Sequence, residues 1–536
     1  MYGLKKTVLR KASQASRWLP VAAGALVPGL CFALYLSSLA PTVLHYEFPE
    51  LQDAAVLQAK AALLGVPDYT GYPLWVMLGK LFTFLPVGDL GYRVNLSSAV
   101  YAALTVLFVY LLGMRLTGRT VAAAGGALAF GVSQIFWSQA LIAEVYTLNT
   151  LLVAMVIYVL LLWRYERKDS HLLLACFLMG LALTNHLTSG LLIPAAFLLV
   201  GVVDTSKLIE GRLILKGAGL FALGLLPYIY IPIRASMDYL PDYFVWGQPA
   251  LQRNPPNTLE GFWTLVSGGA WKDRMFSQSP SELLSGLETY VNHLWGSTGQ
   301  FNLILVVAAI AGFYFLAYRD RAVTAVLVLL FAGWLFYALG YDIADIKFYF
   351  IPTYLVFCLW TAVAFGGLID SIKLLANRWR APAVGSLFAA FVALILLLPL
   401  IGVQETYAQV DRSGDFRGRE VVETVAEKAG PDATILHYHS PLTTMILAEN
   451  RREDIHLINH EESLGPPGVV KAQRALDRGP VYILFPTREG SSFYKGVEQS
   501  REIYAEHGLE LREIDQDVLL YQVVDPDKSS SAGGGS

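Results

Sequence analysis

Charge is scarce in this chain. Of 536 residues, 15% are Asp, Glu, Lys or Arg and 55% are hydrophobic. A soluble protein of this length needs more charge to cover its surface, so the composition excludes an ordinary water-soluble enzyme before any motif is read. Cysteine is scarcer still. Cys31, Cys176 and Cys358 all lie inside apolar runs, which argues against a disulfide framework or a CxxC metal site and leaves packing as small hydrophobes. The N-terminal apolar run also lacks a small-residue cleavage site. Lys5, Lys6, Arg10, Lys11 and Arg17 precede a stretch from about Trp18 to Leu39 that is long enough to cross ~30 Å of hydrocarbon, so it reads as a retained span. The formal net charge of -3 carries little information, because the charges are segregated along the chain. No nucleic-acid partner is expected.

Apolar runs are what the chain has in abundance. They fall near 18–40, 93–114, 120–140, 145–164, 170–185, 187–203, 214–233, 301–318, 322–340, 347–370 and 383–403. This predicts a polytopic α-helical membrane protein of about eleven spans, with 170–203 either a hairpin or one broken helix. With the N-terminus cytoplasmic, the inner connections hold Arg115/Arg119, Arg164/Arg167/Lys168, Lys207/Arg212/Lys216, Arg319/Arg321 and Lys373/Arg378/Arg380. Each is short and basic, as the positive-inside rule requires. The other face receives a loop at 41–92, a loop at 235–299 and everything after the last span.

After about residue 406 the composition becomes that of a globular domain. Helix-like stretches (417–429, 469–478, 498–507) alternate with β-like ones (434–437, 455–459, 481–485, 518–524). The alternation predicts a small extracytoplasmic α/β domain, 406–528, with a mainly parallel sheet, appended to a membrane domain of residues 1–405. This segment shows no glycine-rich phosphate loop, nucleophile elbow or zinc spacing. His437 and His439 alone fall short of the ligands a closed metal site needs. The tail 529–536 (SSSAGGGS) reads as a flexible end or a cloning scar.

Candidate chemistry collects on the outer side. The first loop holds Glu47, Glu50, Asp53, Asp68 and Asp89, with Lys60 seven residues beyond Asp53 on a predicted helix over 50–64. Glu144, Asn185, His186, Arg234, Asp342, Asp345 and Lys347 stand at the outer ends of spans, and Trp246 lies in the second loop. Any one of them serves as an anchor at the interface. Their concentration on one face points to a shared polar cavity.

Several of these stretches carry a resemblance. Leu39-Ala40-Pro41-Thr42, Leu64-Gly65-Val66 with Gly71-Tyr72-Pro73-Leu74, and Tyr92-Arg93-Val94-Asn95-Leu96-Ser97-Ser98-Ala99 form the first part of it. Phe136-Trp137-Ser138-Gln139, Glu144-Val145-Tyr146-Thr147-Leu148-Asn149 and Gly180-Leu181-Ala182 with Asn185-His186 continue it. Together they resemble a bacterial member of a GT-C glycosyltransferase family whose eukaryotic relatives are transmembrane protein O-mannosyltransferases. The likeness is densest over residues 35–200, thinner at Pro232-Ile233-Arg234 and Trp246-Gly247, and weak in the C-terminal domain.

The resemblance implies transfer of a sugar, mannose among the candidates, from a polyprenyl-phosphate donor to a hydroxyl on a protein or glycan, at the extracytoplasmic face of a cell membrane. It implies no required cofactor and no metal site, and an acidic residue of the first external loop as general base. Counting back from Leu64-Gly65 without a gap, Asp53 falls on the family's aspartate, with Glu50 and Asp68 as alternatives. The family's glutamate three residues later is Val56 here, and its His-Pro-Pro before Gly-Tyr-Pro is Asp68-Tyr69-Thr70. Arg234, Lys347 and His186 are the candidates for the donor phosphate, and Glu144, Tyr72, Asn185, Asp345 and Trp246 for substrate contacts. Lys60 is expected to hold Asp53 ionised at neutral pH. The competing class is a transporter or translocase of a lipid-linked substrate. It would show paired repeats with broken midplane helices, and no matching halves are detected.

Overall fold

The computed structural model describes residues 2–45, 53–237, 254–295, 299–379, 383–438, 440–459, 465–485 and 496–527. Every predicted span falls on a helix. Six are long and apolar enough to cross a membrane: Trp18–Ser38, Leu90–Thr117, Tyr146–Glu166, Arg321–Leu339, Ile346–Leu374 and Ala390–Val410. A seventh, Gly211–Gly224 with Leu226–Ala235, is bent by 41°. Four shorter apolar helices, Thr120–Gly131, Asp169–Leu183, Leu187–Val203 and Leu303–Arg319, fill the remaining predicted places. Two of these meet where the apolar pattern fails, at Thr184-Asn185-His186, so the segment 170–203 is two helices. Helix ends follow local chemistry. Leu90–Thr117 starts where Asp89 Oδ1 accepts the Tyr92 N–H at 2.9 Å, and it stops at Gly118 in the left-handed region.

The charges sort into two faces. At one, Arg115 pairs with Glu166, Arg164 with Asp320, Lys207 with Asp169 and Arg119 with Asp370, so the short basic connections fasten to one another. At the other, the first loop packs against the second. Val66 shares a small core with Ile231, Leu265 and Val266. Gly71, at φ +72°, leaves no room for a side chain, since a Cβ there would stand 2.9 Å from Leu265.

The C-terminal domain is a five-stranded sheet in the order β2-β1-β3-β5-β4. β1 (Thr434–His437), β2 (His456–Asn459) and β3 (Val481–Leu484) are parallel. β4 (Glu510–Asp515) and β5 (Leu520–Val524) form an antiparallel hairpin that joins β3 through β5. The expected, mainly parallel sheet is therefore mixed, because β5 runs antiparallel to β3 and pairs with β4, a strand the sequence pattern does not show. Alternate residues face opposite cores. Ile435 and Tyr482 pack with Val421, Val422 and Val425 of helix Arg417–Lys428, whereas Leu436 and Ile483 pack with Val469 and Tyr504 of the helices on the other side. Val43, from the chain just after the first span, is buried in the first of these cores. His437 Nδ1 lies 2.8 Å from Ser440 Oγ, and His439 is outside the described residues.

Candidate active site

The first loop builds the site from a buried helix, Ala54–Leu63, shorter than the predicted 50–64. Asp53 occupies its N-cap position. Two turns on, Lys60, with its side chain 4% exposed, pairs with Asp68 Oδ2 at 2.5 Å. Tyr72 Oη donates to Asp68 Oδ2 and accepts the Asp68 N–H, both at 3.2 Å. The turn at 65–73 thus brings Asp68 back over the helix and gives Lys60 that carboxylate. This corrects the expectation that Lys60 keeps Asp53 ionised. Burial, then the charges of Asp68 and Asp345, outweigh Lys60 and push Asp53 up to about 7.

The remaining polar groups come from span ends. Asp345 Oδ2 accepts from Tyr146 Oη at 2.7 Å, and burial raises its carboxyl above the usual range. Glu144 is buried and also raised, by desolvation first and then by Asp53 and Asp345. Its backbone carbonyl accepts the Trp75 indole N–H at 2.9 Å. Asn185 donates to Val145 O at 3.2 Å. His186 is buried, which lowers its imidazole to about 4. Its Nδ1 lies 2.8 Å from the Thr188 hydroxyl oxygen, and the neutral ring keeps one N–H to donate. Tyr146 and Tyr349 stand 5.9 and 5.2 Å from that ring, centroid to centroid.

Arg234 behaves differently from its expected role at a phosphate. Its Nε donates to Leu64 O at 2.6 Å and one Nη to Leu63 O at 2.9 Å, which closes the carbonyl end of the Asp53 helix. Lys347 lines a cavity of about 280 Å³, two residues beyond Asp345. Glu50 and Trp246 lie outside the described residues.

Two sets of residues in the site were not singled out from sequence. Gln58, a lone amide on the Asp53 helix, accepts the Leu44 N–H at 2.9 Å and donates to Asn95 Oδ1 at 2.8 Å. Asn95 Oδ1 also accepts the Ala143 N–H at 3.0 Å. A lone amide in a helix whose other residues, apart from Lys60, are apolar is a legible signal. Arg419 has none. From the C-terminal domain it donates to Asp89 Oδ2 at 2.7 Å and, with two nitrogens, to Glu449 at 2.7 and 2.9 Å. Asp89 also accepts from the Thr42 hydroxyl, and Thr42 O accepts from Asn95 at 3.2 Å. Gly418 lets this contact form, because a Cβ there would lie 2.2 Å from Val43 O. Arg419 thus ties the C-terminal domain to Thr42 and Asp89 at the two ends of the loop that carries Asp53. Arg419→Met is expected to lower kcat by roughly 10- to 100-fold, the cost of a small misplacement, with KM nearly unchanged. A kcat–KM split on that variant checks it.

With the geometry in hand, comparison places the chain. A crystal structure of ArnT from Cupriavidus metallidurans bound to undecaprenyl phosphate matches 93% of this chain and 97% of its own, with TM-score 0.58 at 13% identity. The Archaeoglobus fulgidus oligosaccharyltransferase in its apo form matches 88% of this chain and 70% of its own, with TM-score 0.54 at 13% identity. The fold is the GT-C fold of multi-pass membrane glycosyltransferases. Residues 53–209 match the family model described as the Protein O-mannosyl-transferase TMEM260 N-terminal domain. The mouse Protein O-mannosyl-transferase TMEM260 is 29% identical over 296 residues, 53% of this chain and 40% of that protein. The Dictyostelium discoideum protein of the same name is 24% identical over 227 residues, 39% of this chain and 27% of that protein. The chain is similar to these proteins over part of its length and spans 40% and 27% of them.

Proposed function

We propose that this protein is a glycosyltransferase that moves a hexose, mannose on the strength of its relatives' names, from a polyprenyl-phosphate donor to a hydroxyl on a protein or glycan. The observation that carries this reading is the carboxylate cluster: Asp53 within electrostatic reach of Asp68, Asp345 and Glu144, on the face where both loops and the C-terminal domain meet. Asp53 takes the proton of the acceptor hydroxyl. The acceptor oxygen then bonds to the anomeric carbon as the bond from that carbon to the lipid phosphate breaks, and the phosphate leaves with the electron pair. The transition state is oxocarbenium-like, so the neighbouring carboxylates stabilise it. Lys347 supplies positive charge to the leaving phosphate and the neutral His186 a hydrogen bond, while Arg234 holds the loop. Asp345, Tyr72, Glu144 and Asn185 line the sugar. The scheme requires no metal ion.

Purified protein in detergent should turn over polyprenyl-phosphate mannose, releasing polyprenyl phosphate only when a hydroxyl acceptor is present. A transporter needs a sealed membrane and would show no such turnover.

We further place the site on the extracytoplasmic face, because the opposite face carries the Lys/Arg-rich connections. A membrane-impermeant maleimide is expected to label Ser413→Cys and to spare Ser170→Cys in intact cells. The reverse pattern would put the site in the cytoplasm.

A further inference from the structure

Among the buried polar atoms that lack a hydrogen-bond partner within the described residues, three stand on one concave surface: Gln139 Oε1, Gln300 Nε2 and His293 Nδ1. Gln139 is only 1% exposed. All three residues line the cavity that Lys347 lines. Buried polar groups left unpaired are costly, and the convergence of three on one cavity marks a place where a ligand supplies the partners. A second cavity, about 300 Å³ and mostly polar, adjoins the first and shares Gln134, Gln300 and Gln409 with it. Where the two meet, Gln134 Nε2 donates to Gln409 Oε1 at 2.7 Å. Gln300 is held by its oxygen, which accepts the Ile135 N–H at 2.7 Å. The second cavity is bordered by Glu405 and by Trp295, whose side chain is half exposed.

We propose that these two cavities form one groove that binds a saccharide. The unpaired set is mixed: an acceptor on Gln139, a donor on Gln300, and on His293 a nitrogen that takes either role with its tautomer. A hydroxyl gives and accepts a hydrogen bond at one atom, so neighbouring hydroxyls on a sugar ring satisfy such a set. The exposed Trp295 offers a broad apolar face for the C–H side of a ring and an N–H beside it. A peptide fits less well. An extended strand needs a continuous run of ~3.3 Å per residue with pockets for alternate side chains, and the two cavities hold only about 280 and 300 Å³.

The groove is distinct from the carboxylate cluster, none of whose members lines it, yet Lys347 and Phe348 connect the two. Gln409 and Arg412, from the connection to the C-terminal domain, complete its rim. Saccharide binding here needs no part of the transfer reading.

Saturation-transfer-difference NMR on the full chain in nanodiscs, free of alkyl-glycoside detergent, tests it. The probes are methyl α-mannoside, an α-linked mannobiose and a serine-containing tripeptide. Mannobiose is expected to receive more saturation than methyl α-mannoside, and the tripeptide none. Trp295→Ala and Gln300→Leu should each weaken mannobiose binding roughly 5-fold or more, the effect of losing one good contact. Asp53→Asn should leave that binding in place. No transfer to either sugar, transfer unchanged in both groove variants, or transfer to the tripeptide alone would overturn the proposal. Turnover of the lipid donor would still stand in each of those cases.

Discussion

Asp53→Asn is expected to lower turnover by roughly 10²- to 10⁴-fold while binding of the lipid donor survives, because Asn keeps the shape and hydrogen bonding of the side chain but cannot take a proton. Glu50→Gln and Asp68→Asn, made in parallel, should do less. The same variant should also be the more stable protein at pH 8. Asp53 has a pKa raised from an ordinary 3.8 to about 7 on folding, so folding favours its protonated form. That advantage is full below about 3.8 and is lost as pH rises through 7. At pH 8 the wild type therefore carries an ionised, half-buried carboxylate whose cost is on the order of a few kcal/mol. The variant carries none. Thermal unfolding should show a higher Tm for Asp53→Asn at pH 8 and little difference at pH 4, opposite in direction to the change in activity.

Lys347→Ala is expected to reduce use of the lipid donor by on the order of 10²-fold or more, since a cation facing a leaving phosphate lowers the barrier by several kcal/mol. Its fold should hold, because Lys347 is a half-buried charge at the end of a span. Arg234→Ala supplies the contrast. Removing its bonds to Leu63 and Leu64 carbonyls frees the end of the Asp53 helix and should cost about 2 kcal/mol of stability. Donor-dependent kinetics and thermal unfolding on both variants separate the two roles.

Hydrophobic run length made the membrane helices legible, and the alternation of basic loops made their order legible too. Four of the five strands were legible because Ile, Leu and Val cluster in them. β4, with the sequence Glu510-Leu511-Arg512-Glu513-Ile514-Asp515, was not. It is an edge strand whose charges face solvent, so its composition hides its pairing. Within the site, Asp53 was reachable by ungapped counting from Leu64-Gly65, and Asp345 and His186 by their place at span ends. Lys60 shows where such reading stops. Helical spacing sets it on the Asp53 face, but the turn at 65–73 delivers Asp68 to it, and a turn's destination is a tertiary fact. Arg419 and Asp89 are 330 residues apart, and nothing local to either announces the other.

The pH dependence of kcat/KM tests the central claim most directly, because it reads the protonation of the working base in the free enzyme. The acid limb should fall off near 7, where burial and the charges of Asp68 and Asp345 place Asp53. Asp68→Asn removes one of those charges and releases Lys60 to act on Asp53, so its limb should move to lower pH. An acid limb near 4 in the wild type, unmoved by Asp68→Asn, would mean that a carboxylate outside this cluster takes the proton, and Asp53 would lose its place as the base.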